Sequence, residues 1–253
     1  MATLIMQLEY DGSAYSGWQI QDNAKSVQGA LENALEVVCR QKILAVGAGR
    51  TDTGVHAAGQ VATVVNFDCD IPRVKLKDAI NRYLPFDIRL KNYWIVDEDF
   101  SARFDAIQRE YVYNLNLNGS VFKRQFSGFV KYSLDIEQMV DSADVFVGEH
   151  NFTTFSKVNL STKSYICDVL YSKWTQIDEW NYQYKVVANR FVYGMVRSLV
   201  GAMIDVGRKR KTKEQLQAGL LAEDRMLNSP FAPANGLILN KVYYREKYNF
   251  LNK

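Results

Sequence analysis

Cysteine and histidine are scarce: three and two in 253 residues. Cys39, Cys69 and Cys167 are odd in number, lie far apart in sequence and form no Cys-x-x-Cys pair. They give no disulfide framework and suit a reducing compartment. His56 and His150 are too few for a histidine-rich metal site, so no metal is expected. There is no Gly-x-Ser-x-Gly elbow, and no Gly-Lys-Ser/Thr follows a glycine-rich loop. Gly47-Ala48-Gly49 is a fragment of a dinucleotide fingerprint, but a strand pattern follows it instead of a helix. No apolar run approaches the roughly 20 residues of a membrane span. The first ten residues lack a basic region followed by a long apolar segment. A cytoplasmic protein without a membrane or cofactor requirement is the expectation. A net charge of +3 is too small to demand a polyanionic partner by itself. The compact runs Arg208-Lys209-Arg210-Lys211 and Lys123-Arg124 suit either phosphate contact or an ordinary solvated loop.

What is present is an ordinary globular composition, 47% apolar and 23% charged, enough for a substantial core. Residues 3–10 alternate as a strand, and Asp11-Gly12-Ser13 turns the chain. Ser26 caps a helix carrying Val27, Leu31, Ala34, Leu35 and Val38. Strands are expected over 43–46 and 60–67. Pro72 opens a second helix with Leu76, Ile80 and Tyr83 on one face. A strand over 88–96 follows, with Ile88, Leu90, Trp94 and Val96 on one side. The order is β-α-β-β-α-β. Residues 97–106 break the pattern as a linker, and the order then repeats. Strands are expected over 109–117, 165–174, 182–188 and 237–244. Helices are expected over 134–147 and 191–206, and a third, boxed by Thr212 and Gln215, runs to Ala222. The expected class is α+β: two ferredoxin-like halves, 1–104 and 105–253, joined into one mixed, mainly antiparallel sheet with helices on one face.

The stretch Gly47 to His56 stands out, with three glycines, one acid and one of the two histidines between strand patterns. Gly47, Gly49 and Gly54 permit positive φ and close approach of a ligand. Asp52 is thereby a lone carboxylate on a shaped loop; the same pattern also suits a polar hairpin with an Asx-turn. Arg197 sits within an otherwise apolar helix. It either extends to water or needs an acid partner, for which Asp52 is the candidate. Tyr111 offers a flat face for a base or a phenol for proton transfer, or is a core tyrosine.

Gly49-Arg50-Thr51-Asp52-Thr53-Gly54-Val55-His56 resembles the signature of the TruA-type tRNA pseudouridine synthase family. Glu9-Tyr10-Asp11-Gly12, Gly17-Trp18-Gln19, Ser26-Val27-Gln28, Ser101-Ala102-Arg103-Phe104 and Arg109-Glu110-Tyr111-Val112-Tyr113 resemble its N-terminal and middle segments. Asn151-Phe152-Thr153, Phe155, Asn189-Arg190-Phe191-Val192, Met195-Val196-Arg197, Val200-Gly201 and Gly236-Leu237 resemble its C-terminal part. The resemblance runs from Leu8 to Tyr244 in the family's order. It implies the pseudouridine synthase fold and conversion of uridine to pseudouridine at positions 38, 39 and/or 40 of the tRNA anticodon stem-loop, without metal or organic cofactor. It implies Asp52 as the essential carboxylate, Arg197 as its partner and Tyr111 against the target base. Arg50 and His56 are implied as site-shaping or RNA-contacting residues, and Leu237 as an apolar wall. A homodimer is implied as well. Thr53, Lys163-Ser164 and Glu110 depart from the family's commoner residues. Two readings compete: an RNA-binding module without catalysis, and a sugar-cleaving hydrolase using Asp52, which lacks a general acid.

Overall fold

The computed structural model describes residues 2–252. The backbone packs into two compact units, the first running to Ile107 and resuming at Ile238, the second spanning Gln108–Leu237. The residues from 238 onward thus belong with the N-terminal part of the chain, whereas the sequence pattern places them in the second half.

In the first unit, β1 (Thr3–Tyr10), β3 (His56–Val64), β4 (Ile88–Val96) and β10 (Leu237–Tyr244) form a sheet in the order β4-β1-β3-β10. All pairings are antiparallel except β3 with β10, so the sheet is mixed and mainly antiparallel. Gly59 has no side chain because a Cβ there would lie 2.4 Å from the Asn240 carbonyl oxygen. That close approach seats β10 beside β3.

The helix α1 (Val27–Cys39) starts where Ser26 accepts from the Gly29 amide. Its five apolar stripe residues are all buried. The helix α2 (Arg73–Tyr83) begins after Pro72, and α1 and α2 pack together. Leu76 and Ile80 are buried, but Tyr83 is half exposed, so the expected stripe is one residue too long. Leu4 and Ile5 are both fully buried, so both faces of β1 are covered at its start.

The strand β4 departs from its expected face. Leu8 pairs with Leu90, but Gln7 pairs with Asn92, leaving Lys91 as an extra residue. This bulge inverts the alternation. Trp94 and Val96 therefore share a face with Ile5 and Thr3, opposite to Ile88 and Leu90. Trp94 packs on Phe250 of the C-terminal segment there. The expected strand over 43–46 shrinks to β2 (Val46–Gly47), and its partner β3 begins four residues early, at His56. Cys39 and Cys69, distant in sequence, come together at one end of this unit.

The second unit holds β5 (Ala106–Asn116), β7 (Gly148–Asn151), β8 (Ile166–Asp178) and β9 (Asn181–Ala188) in the order β5-β9-β8-β7, all antiparallel. A short β6 (Gly128–Phe129) runs parallel to β5. The edge strand β7 has no apolar alternation and escapes the sequence pattern. The expected helix over 134–147 is α3 (Ile136–Asp141) followed by a 3-10 turn, Ser142–Phe146. The helix α4 (Met195–Gly207) begins four residues late, because Gly194 takes φ +73° and breaks the helical path. The Thr212–Gln215 capping box is formed at α5 (Lys213–Ala222). Trp174 donates to the Met203 sulfur and stacks near Tyr184 in the core between sheet and α4. No helix among the described residues is long and apolar enough to cross a membrane.

Candidate active site

The Asp52 turn lies between β2 and β3 in the first unit. Ala48 donates to Val61, ending the β2–β3 ladder, and Val55 donates back to the Asp52 carbonyl at 3.1 Å, closing the turn. Of the three loop glycines only Gly54 has positive φ, +76°. Gly47 is required for a different reason: a Cβ there would meet the Trp18 indole at 2.6 Å. Nothing lies within 4 Å of a Cβ at Gly49. The shape of the loop is therefore set at Gly47 and Gly54.

A second segment, residues 11–18, holds the turn from outside. Trp18 N–H donates to the Thr51 carbonyl at 3.1 Å, and Gly54 N–H to the Tyr15 carbonyl at 3.3 Å. Gly17, at φ +95°, approaches Thr51 so closely that a Cβ would lie 2.5 Å from its carbonyl oxygen. The Tyr15 hydroxyl donates to the Asp87 carboxylate, and burial together with that acceptor raises its pKa.

A buried polar network lies under the turn. The Tyr10 hydroxyl and Thr51 Oγ1 are 2.8 Å apart. Gln60 Nε2 donates to the Gly49 carbonyl at 2.8 Å and reaches the Tyr10 hydroxyl at 3.5 Å. All three side chains are buried, and desolvation pushes the Tyr10 phenol up. These bonds flank Asp52, which is half-buried, while Arg50 is exposed. Nothing local in the sequence marks Tyr10, Thr51 or Gln60 as partners: Gln60 opens the strand expected over 60–67, and only the earlier start of β3 at His56 puts it inside the strand.

His56 opens β3 with 2% exposure. Its Nδ1 lies 3.1 Å from the Gly12 amide nitrogen and 3.0 Å from Asp11 Oδ1. Accepting from the amide needs a lone pair on Nδ1, and pairing with the carboxylate needs a proton there, so one protonation state satisfies one contact. In either state the imidazole ties residues 11 and 12 to the strand that leaves the Asp52 turn.

The remaining sequence candidates lie in the second unit. Tyr111 is on β5, buried, with its ring edge-to-face on Phe191 at 5.1 Å. Arg197 is in the first turn of α4, half-buried; its Nε donates to the Ala232 carbonyl at 2.7 Å, and the Ala232 amide donates back to the Arg197 carbonyl. The loop 230–233 and the helix are thereby locked together. A Cβ at Gly201 would lie 2.0 Å from the Pro230 carbonyl oxygen, so that glycine is part of the same junction. The Tyr113 phenol is pushed up by burial, with the Arg197 charge pulling it back. Leu237 is buried at the start of β10. Glu110 is buried and paired with Lys185 at 2.9 Å, which gives this departure from the family pattern a partner within the protein.

The basic run is largely engaged internally. Arg208 stacks 3.9 Å from the Tyr132 ring centroid, Lys209 pairs with Asp135 at 3.3 Å, and Lys211 donates to the Leu227 carbonyl. Local packing accounts for these three cations without a phosphate.

Comparison with known proteins places the chain in a family. A model of the tRNA pseudouridine synthase family matches residues 6–105 and 143–245. Asp52, Arg197 and Leu237 fall inside the matched stretches and Tyr111 between them. A protein named tRNA pseudouridine synthase A from Bacteroides thetaiotaomicron is 38% identical over 248 residues, covering 97% of this chain and 92% of the relative. Proteins of the same name from Rhodopseudomonas palustris (strain BisB18) and Chlamydia muridarum are 40% and 37% identical, covering 94% and 99% of this chain and 97% and 95% of theirs. Among solved structures, an H/ACA RNP bound to a substrate RNA containing 2′-deoxyuridine matches at 12% identity and a TM-score of 0.40; 81% of this chain and 44% of that chain are covered. With a family model matched over most of its length and relatives similar from end to end, the chain belongs to the tRNA pseudouridine synthase family.

Proposed function

We propose that the chain isomerises uridine to pseudouridine at positions 38, 39 and/or 40 of the tRNA anticodon stem-loop, with Asp52 as the essential carboxylate. The observation that carries this reading is the setting of Asp52 in a chain of this family. It is a half-buried acid on a turn closed by its own carbonyl and held by Tyr15, Gly17 and Trp18. Preorganisation of that kind is what a group acting on one sugar carbon requires.

In the reaction the bond between ribose C1′ and uracil N1 breaks, the base turns, and C5 bonds to the same C1′. N1 gains a proton and C5 loses one, so no atom is lost from the base. Asp52 acts either as the nucleophile at C1′ or as the base that removes the C2′ proton. A second carboxylate of the kind glycosidases use to protonate a departing alcohol is not needed, because the uracil stays in the site. Arg197 is the proposed partner that keeps Asp52 ionised and aimed. Tyr111 packs against the extruded base, whose unstacking costs a few kcal/mol. Leu237 forms an apolar wall, and Arg50 and His56 shape the surroundings of the acid. The enzyme works as a cytoplasmic homodimer on tRNA.

Asp52→Asn keeps the size and much of the hydrogen bonding of the side chain while removing its charge. Pseudouridine mapped in unmodified tRNA after incubation should fall by at least about a thousandfold, the scale of losing a principal catalytic group. Thermal stability and tRNA affinity should change little. Undiminished pseudouridine formation in that variant would overturn the assignment, and release of free uracil by the native chain would point to a hydrolase.

A further inference from the structure

We propose that Cys39 and Cys69 are a disulfide-forming pair, a covalent modification site whose oxidant is a small-molecule disulfide of the glutathione type. The Cys39 and Cys69 thiols lie close enough to act on one another electrostatically, although residues 40–68 separate them in the chain. Their neighbours make the apposition firm. Gln41 Nε2, two residues after Cys39, donates to the carbonyl of Asp68, the residue before Cys69. Cys39 ends α1, Cys69 precedes α2, and those helices pack together. Both thiols are half-exposed, whereas Cys167 is buried. Closing the pair brings the two sulfurs to a bond length of about 2.05 Å.

The chemistry runs by exchange. The Cys69 thiolate attacks one sulfur of the oxidant, and the first small thiolate leaves with the bonding pair. Cys39 then gives its proton to solvent and attacks Cys69 Sγ, displacing the second small thiolate. Two electrons pass from the cysteine pair to the oxidant, and two protons are released. Burial pushes the Cys39 thiol up and the neighbouring Cys69 adds to the shift, which suits Cys39 to the second step.

The link closes a covalent ring over β2, the Asp52 turn and β3. It sits at the far end of β3 from that turn, about 30 Å away for a nine-residue strand. Its effect is therefore on stability: it restricts the unfolded chain while leaving the turn untouched.

The test uses the full chain and oxidised glutathione, followed by intact mass and peptide mapping. The expected product has lost two hydrogens, carries a Cys39–Cys69 linked peptide, and unfolds several degrees higher until dithiothreitol reverses the shift. C39S should stop at one stable glutathione adduct on Cys69, with no rise in unfolding temperature. Separate glutathione adducts on both cysteines, or no reaction at either thiol while the urea-unfolded chain reacts, would overturn the proposal. Neither outcome depends on activity toward tRNA.

Discussion

Thr51→Val tests whether the buried network beneath Asp52 positions that residue or merely fills space. The substitution keeps the shape and removes one hydroxyl. It spares the Thr51 carbonyl, which still receives the Trp18 amide. The loss is the 2.8 Å contact to the Tyr10 hydroxyl, after which that buried phenol retains only Gln60, at 3.5 Å. A typical hydrogen bond contributes about 1 kcal/mol net, and a stranded buried group costs about 1–3 kcal/mol. The expected destabilisation is about 2 kcal/mol. For a chain of this size that lowers the thermal midpoint by about 4–8 °C. Tyr10→Phe should cost about the same, since it strands the Thr51 hydroxyl instead. The double variant removes both partners and strands neither, so its cost should be about 1 kcal/mol or less rather than the sum of about 4. Thr51 adjoins Asp52, and a displacement of about 1 Å at a reacting group costs about a hundredfold in rate. A fraction of that shift predicts kcat lower by about tenfold in Thr51→Val with KM for tRNA nearly unchanged. Release of label from tRNA carrying 5-tritiated uridine measures it, because C5 gives up its hydrogen. Additive stabilities in the cycle, or a raised KM at unchanged kcat, would defeat the reasoning.

Gly47→Ala should destabilise the chain by about 1–3 kcal/mol in urea titration, because its Cβ would meet the rigid Trp18 ring at 2.6 Å; an unchanged midpoint would show that the indole is free to move. The Cys167 thiol is pushed up to about 11 by burial, above its ordinary 9.0, with Arg190 pulling it back. Its neutral form is the one the fold favours, so its contribution to stability is complete below about pH 9 and fades as pH rises through about 11. Cys167→Ala should flatten that part of the alkaline stability profile, and an identical slope would place the effect elsewhere.

Much of the architecture was legible because its signals are local. Ser26 ahead of an apolar stripe marks the start of α1, and the Thr212–Gln215 box marks that of α5; in each case the cap and the stripe lie within a few residues. The Asp52 loop was visible as a break between strand patterns. Its bracing was not, since Tyr10, Trp18 and Gln60 are dispersed along the chain and reveal nothing about their distance from Thr51. The face of Trp94 was misread because one bulged residue, Lys91, inverts a period-two pattern, and a bulge has no composition of its own. Gly194 delays the start of α4 by four residues for the same kind of reason: its positive φ belongs to a backbone path that pattern alone does not show.

The amino-acid order by itself determined the α+β class, the succession of most elements, the family and the identity of the lone acid. These depend on side-chain period, capping chemistry and motif, all properties of short segments. Only the tertiary structure decided which glycine is needed for φ and which for the indole, where β10 pairs, that His56 is buried against Asp11, and that Cys39 meets Cys69. Each of these is a contact between segments distant in sequence. Such contacts follow from how whole strands and helices pack, because burial and hydrogen-bond satisfaction are met by the assembled core and not by any one stretch of chain.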